Sequence, residues 1–216
     1  MKKNWENRAQ AGLRLAELLK RYDNSLNTVV VGLARGGVEV AYAISSKLNL
    51  PLDVICPKKI SHPFDPEYAI GAITEYGDCK INYLEAYRLG LKDLDIAKIK
   101  DQKLQEAIEK EKKFHFFRPN IEWKSKTILI VDDGIATGLT FEASLLSLKK
   151  LQVGKVIAVT PVASCSGLSL IKPLVDEIVC ILEDPDMGCV GNYYEDFSEV
   201  TDQKVLEYLK NQKPAF

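Results

Sequence analysis

A net charge is what this 216-residue chain most plainly lacks: 29 Lys and Arg stand against 30 Asp and Glu. No overall field is left to gather DNA, RNA or an anionic membrane surface, so any anion site has to be local. Histidine is scarce too. His62 and His115 are the only two, and neither has a second His or a Cys nearby at ligand spacing, so no structural zinc site is expected. The five cysteines, Cys56, Cys79, Cys165, Cys180 and Cys189, are odd in number and contain no C-x-x-C pair. They read as reduced, buried thiols of a cytosolic protein. The opening stretch MKKNWENRAQAGLRLAELLKRY is basic but offers no continuous apolar core for a signal peptide or a bilayer span, which points to a soluble cytoplasmic chain. There are no internal repeats and no low-complexity tract. What is present is a 46% hydrophobic composition, enough for one sizeable core, and a single domain over 1–216 is expected.

Apolar residues at Trp5, Ala9, Gly12, Leu15, Ala16 and Leu19 fall three and four apart, which predicts an amphipathic helix covering an edge of the domain. TVVVGLARGG then reads as strand, glycine loop and the start of the helix VEVAYAISSKL. LDVICP, TILIVDD, KVIAVTPVA and EIVCIL supply four more apolar runs. Helical segments TFEASLLSLKKLQ and GLSLIKPL separate the last three, an alternation that argues for a parallel sheet with helices on its faces. Residues 58–122 break this rhythm with short extended pieces and turn signals. A charged helix from about 91 to 114 follows, read as a solvated face and assigned no chemistry.

The segment ILIVDDGIATGLT, Ile128 to Thr140, carries the most specific signal. In an open parallel sheet ligands bind beyond the carboxyl ends of the strands, and Asp132 and Asp133 stand at such an end. The glycines at 134 and 138 allow a tight loop with inward N–H groups. Thr137 and Thr140 add hydroxyls, and a helix expected to start between Thr137 and Leu139 adds its positive dipole end. Together these make a phosphate cradle. Two carboxylates would repel a phosphate, so they are expected to hold hydroxyls or a divalent metal beside it. The plainer reading is a turn-forming Asp132 followed by a helix-capping Asp133.

This segment resembles the phosphoribosyl pyrophosphate motif of the type I phosphoribosyltransferases: four apolar residues, two acids, then a loop ending in T-G-x-T. The resemblance implies that family's α/β fold, a parallel sheet of about five core strands flanked by helices with an inserted flexible or hood region, the supporting core running from about Thr28 to Leu182. It implies that Asp132 and Asp133 contact the ribose hydroxyls and help to hold Mg2+. Gly134, Ile135, Ala136, Thr137, Gly138 and Thr140 would form the loop for the 5-phosphate. GLARGG occupies the place of the family's pyrophosphate loop, often built on a strained peptide: Ala34 and the Arg35 cation, with Gly36 and Gly37 allowing close backbone approach. Lys58 and Lys59 follow the second strand, where the family commonly has a basic residue reaching the diphosphate. Neighbours on an extended chain point opposite ways, so one of the two is expected in the site, with Lys59 preferred.

The implied reaction is displacement of pyrophosphate at the anomeric carbon by a nitrogen nucleophile, with Mg2+ on the diphosphate and ribose hydroxyls and no covalent nucleophile. The implied setting is nucleotide metabolism, and the partners are phosphoribosyl pyrophosphate, a small-molecule acceptor and a second copy of the chain in a homodimer. In the 6-oxopurine enzymes an Asp stands three positions beyond the second acid; here Ala136 does, which disfavours that acceptor class. Glu67 and Tyr68 are candidates to approach the ribose or acceptor. In DMGCVGNYYEDFSEVTD, Tyr193, Tyr194 and Phe197 could stack on a flat acceptor while Glu195 or Asp196 hydrogen-bonds its edge. Alternatively these aromatics pack the C-terminal helix DQKVLEYLKN onto the body. Two other functions stay open: a non-catalytic sensor of the same ligand, and a metal-dependent hydrolase using the paired acids.

Overall fold

Strands of a parallel sheet covered on both sides bury nearly every residue, which explains why Thr28–Leu33 (β1), Thr127–Val131 (β6) and Lys155–Ser164 (β7) are almost wholly buried along their lengths. The computed structural model describes residues 4–115 and 121–211. In it these strands join Leu52–Ile55 (β2) and Glu177–Asp184 (β8) in a five-stranded sheet of order β2-β1-β6-β7-β8, every pairing parallel. Alternation along each strand divides the core in two. Val30, Leu129, Val131 and Ile157 face one side, where Arg8–Leu18 (α1), Gly36–Leu48 (α2) and Asp202–Lys210 (α7) pack. Val29, Val31, Ile128 and Ile130 face the other, under Leu139–Lys150 (α5) and Cys165–Ile171 (α6). Five core strands flanked by helices were expected, and five are found.

From β1 the chain steps outward to β2, while β6, β7 and β8 step the opposite way. The loops after β1 and β6 therefore leave the sheet side by side and diverge, which opens a crevice at the carboxyl edge.

Residues between β2 and β6 form a second layer. Lys58–His62 (β3), Asp65–Ile73 (β4) and Cys79–Ile81 (β5) make an antiparallel sheet of order β3-β4-β5. Tyr83–Arg88 (α3) and Asp93–His115 (α4) complete it around Ile60, Ile70, Ile73, Ala86 and Ile96. The charged helix α4 is more than a solvated face. Phe114 is fully buried in the main core, and both ring nitrogens of His115 meet carboxylates, Asp53 at 2.6 Å and Glu111 at 2.5 Å.

Two expectations need correction. The cysteines are free, but only Cys56 is buried; Cys79, Cys165 and Cys180 are half-buried and Cys189 is exposed. In the N-terminal helix Ala9 is exposed, and the buried stripe runs through Arg8, Ala11, Gly12, Leu15 and Ala16. A charged side chain thus occupies a packing position. Among the described residues no helix is long and apolar enough to cross a membrane.

Candidate functional site

Beyond β6, the Asp133 N–H donates to Asp132 Oδ1 at 2.9 Å, turning the chain sharply at the strand end. The loop is then fastened to β7: Ile135 N–H donates to the Val162 carbonyl and Ser164 N–H to the Ile135 carbonyl, each at 2.9 Å. The Ile135 side chain is buried in the sheet core, so its backbone is what reaches the crevice. Gly138 caps α5 with φ +77°, a left-handed conformation that a side chain would strain. The N–H groups of the first turn of α5 have no intrahelical acceptor and carry the positive end of the dipole. The exposed Thr137 and half-buried Thr140 add hydroxyls beside them, an arrangement suited to an anion.

The loop after β1 lies opposite. The Ala34–Arg35 peptide is cis, and α2 begins at Gly36. The two glycines also meet a steric need within the protein. A Cβ at Gly36 would lie 1.9 Å from Asp133 Oδ2, and one at Gly37 would lie 2.6 Å from the Val131 carbonyl and 2.9 Å from Asp132 Cα. They clear space for the acid pair. Ala34, Arg35, Gly36, Lys59, Asp132, Asp133, Gly134 to Gly138 and Thr140 all line one cleft of about 710 Å³. Two expected residues do not line it. Gly37 stands behind Asp132, and Lys58 is directed to Glu106 of α4, 3.7 Å away, because alternation along β3 sends it to the face opposite Lys59. Arg35 borders the cleft, but its guanidinium is engaged by Glu199 and lies 3.9 Å from Asp202 at the start of α7.

The acids are not equivalent. Arg8 Nε donates to Asp133 Oδ2 at 2.6 Å, the two side chains being 7% and 14% exposed. Burial raises the Asp133 carboxyl above its usual range and the Arg8 cation draws it back. Asp132 has no such partner; burial and then the Asp133 charge push its carboxyl well up, with Lys59 a weaker opposing influence. A cation brought by a ligand reverses that balance in favour of the ionised form. Arg8 escaped the sequence reading, although its spacing to Gly12 and Leu15 on the buried stripe signals an inward position.

The segment near residue 190 closes the cleft through Gly188 to Gly191 and Phe197, yet it does not present its tyrosines. The Tyr193 hydroxyl donates to Asp184 Oδ2 at 2.5 Å. Tyr194 is fully buried and donates to the Asp133 carbonyl at 2.6 Å. These rings pack with Trp5, Ala11 and Val162 rather than with α7. Neither is free to stack on an acceptor. Phe197 lines the cleft but is stacked on Tyr194 at 5.1 Å and carries the Arg8 guanidinium 3.8 Å above its ring. The Asp196 carboxylate accepts from Ser198 N–H at 2.9 Å and caps its own turn. Across the cleft, Tyr68 is a lining residue whose hydroxyl donates to Glu85. The side chain of Glu67 lies outside the described residues. His62 does not line the cleft, and its Nδ1 accepts from Phe64 N–H at 3.3 Å.

A protein-only metal cage is not what this site offers: among the described residues no group of three or more His, Cys, Asp or Glu is arranged to hold an ion. Mg2+ commonly needs only one or two carboxylates, taking its other oxygens from substrate phosphates and water. Asp132, with Asp133 beside it, fits that requirement.

Comparison with known proteins agrees with this arrangement. The model of the phosphoribosyl transferase domain matches residues 3–195. Two Mycobacterium tuberculosis proteins, from strains H37Rv and CDC 1551 and each named "Putative phosphoribosyl transferase", are 31% identical over 207 residues. The match covers 96% of this chain and 46% of theirs, so the chain spans about half the length of these curated relatives. Among solved structures, TT1426 from Thermus thermophilus is similar with a TM-score of 0.77 and 32% identity, over 95% of this chain and 97% of that one. AQ2163 from Aquifex aeolicus shares the fold, with a TM-score of 0.53 and 17% identity over 82% of this chain and 74% of that one.

Proposed function

The chain belongs to the phosphoribosyl transferase domain family, and from that premise we propose that it transfers a phosphoribosyl group from phosphoribosyl pyrophosphate to a nitrogen acceptor, releasing pyrophosphate. The observation that carries the proposal is the single cleft at the divergence of β1 and β6. It gathers the acid pair, the 134–140 loop and Lys59 around a space of about 710 Å³, ample for a ligand of that size.

In this reading the 5-phosphate sits on the first-turn N–H groups of α5 and the hydroxyls of Thr137 and Thr140. Asp132 and Asp133 accept from the ribose hydroxyls, which fixes the ring with the anomeric carbon turned to the open side of the cleft. Lys59 faces the diphosphate from β3, and Arg35 can join it by leaving Glu199. Attack by the acceptor nitrogen forms the new C–N bond as the C–O bond to pyrophosphate breaks, and the acceptor's proton leaves to solvent or a base. Positive charge accumulates on the ring during this step, so orientation and exclusion of water are the main work of the residues around it. Mg2+, held by Asp132 and Asp133, would supply charge neutralisation to the diphosphate. Gly188 to Gly191, Phe197 and Tyr68 border the space left for the acceptor. Ala136 supports an acceptor other than a 6-oxopurine. A homodimer and a cytoplasmic setting belong to the same proposal.

The test is calorimetric binding of phosphoribosyl pyrophosphate with Mg2+. The protein is expected to bind it, and the D132N/D133N double variant is expected to lose that binding; wild-type affinity in the double variant refutes the assignment. Pyrophosphate release in a screen of nucleobases, amines and amides then separates a transferase from a sensor of the same ligand, which binds the donor and releases nothing.

A further inference from the structure

Arg8 is one of few charged residues buried among the described residues, and its guanidinium is satisfied on three sides. Nε donates to Asp133 Oδ2 at 2.6 Å, Nη1 donates to the Ser198 carbonyl at 2.9 Å, and the plane lies 3.8 Å from the centre of the Phe197 ring. The chain around it is stitched to the same region. Asn4 and Trp5 N–H groups donate to the Tyr193 carbonyl, Glu195 N–H to the Trp5 carbonyl, and Asp196 N–H to the Glu6 carbonyl. Asp133 is thus gripped at its carboxylate by Arg8 and at its carbonyl by Tyr194. Both grips come from segments outside the sheet, one before β1 and one after β8.

We propose that Arg8 is a positioning residue of the donor site: it holds the Asp133 carboxylate in one orientation and ties the 190–198 segment to it, so that the ribose side of the cleft is built before the donor arrives. This rests on the phosphoribosyl reading of the cleft. A planar fork is needed, because an ammonium can meet the carboxylate but cannot also reach the Ser198 carbonyl and lie flat on Phe197. Removing the guanidinium would leave Asp133 buried beside Asp132 with only the weaker influence of Lys59 against their repulsion, and nothing would hold the Asp133 carboxylate in its orientation.

A double-mutant cycle tests this, using R8M, D133N and R8M/D133N, with R8K as the conservative variant. Two probes are titrated: phosphoribosyl pyrophosphate with Mg2+, and inorganic pyrophosphate without added metal, which meets Lys59 and Arg35 rather than the acids. Loss of positioning weakens the first by about 10-fold or more in R8M, the scale of a broken buried pair, and leaves the second unchanged. R8K recovers part of the loss, and the double variant binds no more weakly than D133N. General damage to the fold would weaken both probes alike. The proposal is overturned if R8M binds both probes as the wild type does, if it loses both in equal proportion, or if the R8M and D133N losses multiply. If R8M does not fold, R8K carries the same comparison and is expected to lose donor affinity selectively. Should the wild type bind no donor, the phosphoribosyl reading is what fails. The same cycle read in urea midpoints then decides the coupling itself: non-additive shifts sustain the Arg8–Asp133 link and additive shifts remove it.

Discussion

Gly37→Ala isolates the reason for the glycine pair. At an ordinary helix position alanine is favoured over glycine by up to about 1 kcal/mol, so the substitution would stabilise α2 if nothing stood in its way. Here the new methyl would lie 2.6 Å from the Val131 carbonyl oxygen and 2.9 Å from Asp132 Cα. Both are backbone atoms of the end of β6, which is paired with β1 on one side and β7 on the other, so neither yields cheaply. Overpacking of this kind costs about 1–3 kcal/mol, and a net loss of about 2 kcal/mol corresponds to a melting temperature lower by about 4–8 °C in a chain of this size. At Gly36 the clash is with a side-chain end, Asp133 Oδ2 at 1.9 Å. That carboxylate can swing aside only by leaving Arg8. Gly36→Ala is therefore expected to lower affinity for phosphoribosyl pyrophosphate by about 10-fold or more, with a smaller melting shift than Gly37→Ala. Gly77→Ala provides the reference: φ is +82° and nothing lies within 4 Å of the new methyl, so it costs about 1 kcal/mol of backbone strain without touching donor binding. Thermal melts with calorimetric titrations read both quantities. Gly37→Ala melting at or above the wild type, or Gly36→Ala binding the donor normally, would refute the idea that these glycines exist to admit the acids.

Two titrating groups make stability fall as pH rises. Burial holds the Glu75 carboxyl up at about 7 against an ordinary 4.5. For His115 burial works downward, but hydrogen bonds and charge from Asp53 and Glu111 outweigh it and raise the ring from 6.5 to about 9. Both folded values lie above the unfolded ones, so each contribution is whole below the unfolded value and lost as pH climbs through the folded one. Urea midpoints should decline between about pH 4.5 and 7 through Glu75 and between about 6.5 and 9 through His115. Glu75→Gln should flatten the first interval and His115→Gln the second; unchanged pH profiles would contradict these assignments. Glu199→Gln frees Arg35 from an exposed ion pair worth at most about 1 kcal/mol, so pyrophosphate with Mg2+ should bind about 2–5-fold more tightly. Weaker binding by this variant in calorimetry would mean that Glu199 aids the site rather than competes for Arg35.

How far the site could be read from the sequence follows from the range of the forces that build it. Val29 to Val31 and Ile128 to Val131 announce buried parallel strands because cover on both faces removes any polar alternation. The 132–140 loop is equally legible, since it is built from contiguous backbone, a left-handed Gly138 and a helix start. The β3-β4-β5 sheet was visible only as fragments. It is half covered, its strands carry Lys58, Lys59 and Lys80, and its pairing is set by hairpin geometry rather than by an apolar run. Arg8 draws no notice in the sequence because an isolated arginine usually belongs at the surface; its partner stands 125 positions later in the chain. Tyr193 and Tyr194 left two readings open, stacking on an acceptor or packing within the body. Aromatics beside a cleft resemble a stacking platform, and only their hydroxyl partners, Asp184 and the Asp133 carbonyl, show them to be scaffold.

The two acids of the opening motif end in different chemical positions, and the difference bears on the ligand proposed for the site. Asp133 is balanced by Arg8 and braced by Tyr194, so it behaves as fixed structure with hydrogen-bonding capacity. Asp132 has no cation paired with it, so burial and the Asp133 charge push its carboxyl well up, beside a loop whose N–H groups and helix dipole favour an anion. A simple phosphate would satisfy the loop but bring Asp132 no cation to favour its ionised form. A simple cation satisfies Asp132 and is repelled by the loop. A ligand that carries a phosphate at one end and hydroxyls or a bound cation a few ångströms away, as the proposed donor does, would answer both demands at once.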